Sequence, residues 1–77
     1  DRHPDTLASV YNLADLLEDK GDLEGALPLF AEELEGCRLL HGAAHEETRD
    51  SASNLVRVLR EAGKPSEADE VKARFGV

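Results

Sequence analysis

Seventy-seven residues allow one small domain at most, and a chain of that size hides only about 60% of the surface its unfolded form exposes. With two Phe, one Tyr, no Trp and no Met, the thin core must come from Leu, Val and Ala, which suits helices packed on short side chains. Net charge is −8, from ten acids against three bases in residues 1–42 and seven against six in residues 43–77, so nucleic acid, which needs a basic patch, is disfavoured as a partner. No apolar run approaches the roughly 18 residues of a membrane span, so direct membrane insertion is not expected, and no signal peptide or lipidation motif is present. The lone Cys37 cannot form an internal disulfide, which fits a reducing, intracellular or cytoplasmic compartment.

The first predicted helix spans about residues 5–20, with Leu7, Val10, Leu13, Ala14 and Leu17 in steps of three and four on one face. Gly21 can take the left-handed conformation that ends it, and Asp22 can cap the next helix. That second helix covers about 23–40, with a stripe of Ala26, Leu27, Phe30, Leu34, Cys37 and Leu40 or His41. Pro28 falls in or just past its opening turn, where a missing N–H costs least. After the loop His41-Gly42-Ala43-Ala44-His45, a third helix is expected over about 46–62 with Ala52, Leu55, Val56 and Leu59 inward. Gly63 stops it, and Pro65 opens a fourth helix over about 65–75 with Ala68, Val71 and Phe75 on its buried side. Nothing reads as a strand. The fold class is all-α.

The chain matches itself at an offset of 42 residues. His3-Pro4-Asp5-Thr6 returns as His45-Glu46-Glu47-Thr48, Ser9 as Ser51, Asn12-Leu13 as Asn54-Leu55, Leu17 as Leu59, Gly21 as Gly63 and Ala26 as Ala68. A fixed period of about 20–50 residues marks stacked supersecondary units, which serve mostly as binding surfaces. Two helical hairpins are therefore expected, residues 1–42 and 43–77. Lys72 stands where the first unit has Phe30, so the outer face of the second unit turns polar, as in the last member of a stack. Such units need about three copies to be stable alone, which points to a segment of a longer array with a preceding repeat.

The pattern His3-Pro4-Asp5-Thr6, Asn12-Leu13-Ala14, Gly21-Asp22, Ala26 and Pro28-Leu29-Phe30 resembles the long tetratricopeptide repeats of the kinesin light chain type. The second copy departs from it at Glu46-Glu47 and Lys72. The resemblance implies antiparallel helix-turn-helix units in a right-handed α-solenoid, with Gly21 and Gly63 at the turns and Ala26 and Ala68 where the backbones approach. It also implies a concave groove, lined by the first helix of each unit, that takes a peptide or a partner's helix. Further repeats of the same parent chain are partners of the same kind.

Asn12 and Asn54 match the family asparagine, and an amide can pair with the backbone of an extended peptide. The alternative is that both brace neighbouring helices. Ala8, Tyr11, Asp15, Glu18 and Asp19 from the first unit and Asp50, Ser53, Arg57 and Arg60 from the second should line the groove, acidic on one side and basic on the other. That split favours a partner carrying both signs, unless these are solvated faces with internal pairs such as Asp19 with Arg60. Tyr11, aromatic with a polar tip, is the foremost candidate contact, though it could equally pack under the loop between units.

Catalytic chemistry finds few footholds. His41 and His45 have a spacing that could hold a metal on a helix, but Gly42 breaks that helix, and His45-Glu46 lacks the second histidine of a zinc protease motif. His3 and His45 are expected to brace the helix starts they precede, donating to the loop before them. Cys37 lies on an apolar stripe and reads as core. Adjacent acids, Glu32-Glu33 and Glu46-Glu47, point to different helical faces. No enzyme, cofactor or metal is expected. The expected function is protein binding through the groove, with a structural connector in a larger assembly as the alternative, and a sensor segment of a larger signalling protein as a third.

Overall fold

The computed structural model describes the chain from Pro4 to Val77, with side chains from Leu7 onward. Four helices follow one another: α1 (Pro4–Asp19), α2 (Leu23–His41), α3 (Glu46–Glu61) and α4 (Pro65–Phe75). Each lies within a residue or so of its predicted span, and among the described residues there is no strand. Each helix packs against the next in sequence. His3 and the side chains of Pro4, Asp5 and Thr6, which open the repeated pattern, lie outside the described residues.

The two tight turns are built identically. Gly21, at φ +85°, lets its N–H reach Glu18 O at 2.9 Å while the Asp22 N–H reaches Leu17 O at 2.8 Å. Forty-two residues on, Gly63 at φ +79° repeats the arrangement, Gly63 N–H to Arg60 O at 3.1 Å and Lys64 N–H to Leu59 O at 2.8 Å. Both are Schellman closures, in which two otherwise orphaned carbonyls find donors. Asp22 then caps α2, its Oδ1 accepting the Gly25 N–H at 3.0 Å. Pro28 sits well inside α2, on its exposed side, and the helix continues through it.

A core of Ala14, Ala26, Phe30, Leu34, Ala52, Leu55, Val56, Val58, Leu59, Ala68 and Phe75 runs through the junctions of the four helices. Ala26 and Ala68 are fully buried, at the positions where the resemblance implies that the backbones approach. Gly36 does the same for α1 against α2: a Cβ placed there would lie 2.3 Å from Leu7 Cδ2. Two expectations fail. Leu13, placed on the inner stripe of α1, is 48% exposed, and Leu40, placed on that of α2, is 43% exposed. The residue that extends the α3 core is instead Val58, fully buried. Thr48 is also fully buried, and its hydroxyl has no hydrogen-bond partner among the described residues.

Candidate functional site: a groove between α1, α2 and α3

Two contiguous cavities of about 350 and 300 Å³ open where α1, α2 and α3 meet. Tyr11, Glu33, Cys37 and Glu47 line both. Asp50, Ser51 and Asn54 complete the first, and Leu7, Ala8, Leu40 and His41 the second. Helical spacing explains the assembly: Glu33, Cys37 and Leu40 recur every three or four residues along α2, as do Glu47, Asp50, Ser51 and Asn54 along α3.

At the floor, the Glu33 carboxylate accepts hydrogen bonds from the Ser51 hydroxyl and from Cys37 Sγ at 3.4 Å. Burial pushes the Cys37 thiol up to about 12, and the Glu33 and Glu47 carboxylates push in the same direction. A neutral thiol at that depth is a weak donor and no nucleophile. Tyr11, half-buried, sets its ring edge-on to Phe30, with centroids 6.1 Å apart and planes at 74°, so its body belongs to the core and its rim to the groove. Outside both cavity linings, the Arg57 guanidinium bonds Glu18 across from α3 to α1 and lies 3.8 Å from Glu61. That hydrogen bond, more than burial opposes it, holds Arg57 further toward its charged form.

Of the residues singled out by sequence, Tyr11 and Asn54 meet in one cavity, and Ala8 and Asp50 join the lining. Asn54 is half-buried. No hydrogen bond of its amide to a described residue is found, nor of the Asn12 amide. Asn12 and Asp19 stand exposed on α1 outside the cavity linings, and Asp15 is half-buried there. Arg60 turns away to α4, 3.7 Å from Asp69, so the expected Asp19–Arg60 pair is replaced by Arg57–Glu18 and Arg60–Asp69. Glu33, Ser51 and Cys37 were missed as groove residues. The signal available was that Glu33 and Cys37 are four apart on α2.

The inter-helix loop holds a correction of its own. Gly42 ends α2, yet the loop folds back so that His41 and His45 stack, centroids 4.5 Å apart and planes at 24°. His45 caps α3 by accepting, not donating: its Nδ1 takes the Glu47 N–H at 3.1 Å. His41 Nε2 lies 3.2 Å from a Glu47 carboxylate oxygen. Donor atoms of His41, His45 and Glu47 fall within 4.8 Å of one another, but the Nδ1 lone pair of His45 is already engaged by the cap. The cluster braces the α2–α3 junction.

A stack of helix-turn-helix units with matching turns 42 residues apart and a groove across successive helices defines the class of helical-hairpin repeat proteins. The tetratricopeptide repeat profile matches residues 5–73, and the chain belongs to that family. Its members generally mediate protein–protein interaction and are typically non-catalytic. Among curated proteins, no relative matches the chain. No helix among the described residues is long and apolar enough to cross a membrane.

Proposed function

We propose that this segment is a non-catalytic docking module that holds an extended peptide or a partner's helix in the groove between α1, α2 and α3. The observation that carries this is the half-buried Asn54 amide, which lines an open cavity opposite Tyr11 without a hydrogen bond to a described residue. A half-buried amide normally finds a partner inside the protein, and an approaching peptide backbone supplies one. Residues 1–42 and 43–77 then act as two hairpin units, and the pattern from His3 to Phe30, with its 42-residue offset, supports the kinesin light chain type of repeat. Tyr11 and Asn54 are contact residues in this reading. Asp15, Asp19 and Asn12 extend the surface along α1, Arg57 is a strut, and Arg60 lies at the margin.

The test is selection of peptides from a displayed random library against the chain, then titration of a selected peptide into ¹⁵N-labelled protein. Shifts concentrated at Tyr11, Asp50 and Asn54, with binding weakened about tenfold or more in Asn54→Ala at unchanged helicity, are expected. Shifts on the outer faces of α2 and α4 would sink the groove reading.

A second reading, a connector in a larger assembly, has one specific support. By the 42-residue offset Leu13 and Leu16 correspond to Leu55 and Val58. The first pair is 48% and 49% exposed, whereas the second is 6% and 0% exposed, inside the core of a helix that packs between α2 and α4. The α1 face therefore has the composition that a helix like α2, from another unit of this kind, would cover.

A further inference from the structure

We propose that the groove selects a cationic side chain, lysine or arginine, seated over Glu33 and flanked by Glu47 and Asp50; this rests on the peptide-groove reading above and adds to it the sign of the partner's charge. The sequence placed a basic stretch opposite an acidic one, which favours a partner of mixed charge. The structure removes the basic half. Arg57 is committed to Glu18 and lies near Glu61, and Arg60 has turned to Asp69 on α4. The carboxylates of Glu33, Glu47 and Asp50 are left facing the two cavities. Among the described residues, no Lys or Arg lies within ion-pair distance of any of the three.

Glu33 is positioned for such a role. Ser51 and Cys37 orient its carboxylate through neutral donors, which fix its direction without cancelling its charge. After burial, Glu33 and Glu47 also push the neighbouring Cys37 thiol up. Half-buried, Glu33 would interact with a cation more strongly than a fully solvated surface acid does.

The apolar part of the lining suits the same ligand. Leu7, Ala8, Tyr11 and Leu40 border the cavity beside Glu33, and the exposed Leu40 has no other evident use. Lysine and arginine carry long aliphatic stems that cover such surface while the charged head reaches a carboxylate. An acidic segment would meet three carboxylates with no Lys or Arg beside them among the described residues, only the His41 imidazole 3.2 Å from Glu47, so a negatively charged partner is disfavoured by the same geometry.

The experiment reads residue frequencies in nonapeptides selected from a random display library by the whole chain, then repeats the selection with three variants. Enrichment of Lys or Arg at one position by about tenfold over the unselected library is expected. Asp50→Asn, whose side chain is exposed, and Glu33→Gln should each abolish most of that enrichment, with circular dichroism confirming that both are folded. Glu67→Gln on α4 should leave it intact. Equal loss in Glu67→Gln would show diffuse attraction to an acidic chain and overturn the site. Peptides selected without a preferred cation, yet shifting Tyr11 and Asn54 resonances, would overturn the charge inference and leave the groove reading standing. Peptides that shift only outer-face resonances, or a failure to select any, would remove both.

Discussion

Cys37 is buried, its thiol faces a carboxylate, and its ionisation is pushed from 9.0 up to about 12 by burial first and by Glu33 second. Because the native state holds the thiol proton more tightly than the unfolded chain, this group's stabilising contribution is complete below about pH 9. It is lost as pH rises from there toward 12. Unfolding should therefore show an alkaline loss of stability that disappears in Cys37→Ser, followed by urea titration at pH 8 and pH 10.5. At pH 8 a disulfide reagent should react with the native thiol on the order of a hundredfold more slowly than in urea, since little thiolate is present. Fast reaction of folded protein would show that Cys37 is neither buried nor shielded as described. Its place on an apolar stripe was legible in the sequence. Its bond to Glu33 had only the four-residue spacing on α2 as a signal, because the direction of the carboxylate is also set by Ser51 on α3.

At the scale of the element, the turns were the most readable part of the chain. Glycine followed by a capping residue or a proline is a local signal, and both closures recur with the same hydrogen bonds. Gly63→Ala should cost about 1–2 kcal/mol, since an L side chain at positive φ is strained, and Gly21→Ala should cost a similar amount. Chemical denaturation of both variants checks this, and a neutral result at either site would mean that the turn can be rebuilt without the left-handed residue. Helix faces were less readable than helix ends. Periodicity put Leu13 and Leu40 inward because it counts apolar residues on a stripe, but burial needs a neighbouring element on that side. For Leu40 the neighbour is an open groove. The histidine loop shows the same limit, since a broken helix separates residues along the chain without separating them in space.

For the whole molecule, the informative asymmetry is between equivalent positions. Leu55→Ala should destabilise the chain by about 2–5 kcal/mol, the range for truncating a buried leucine. Leu13→Ala and Leu16→Ala should each cost less than about 1 kcal/mol in this chain, as exposed substitutions do. If either proved as costly as Leu55→Ala, the α1 face would already be covered and the connector reading would lose its support. The four helices, their turns, the all-α class and the family pattern were determined by the sequence alone, because periodicity, glycine at positive φ and capping are interactions within a few residues of chain. The offset of 42 likewise needed only the order of residues. What the tertiary structure decided was which charges face one another. Arg57 met Glu18 and Arg60 met Asp69 instead of Asp19, because side-chain reach across packed helices depends on rotation and spacing that no linear pattern encodes. That choice leaves Glu33, Glu47 and Asp50 lining the groove with no Lys or Arg at ion-pair distance among the described residues, the arrangement on which the proposed preference for a cationic side chain rests.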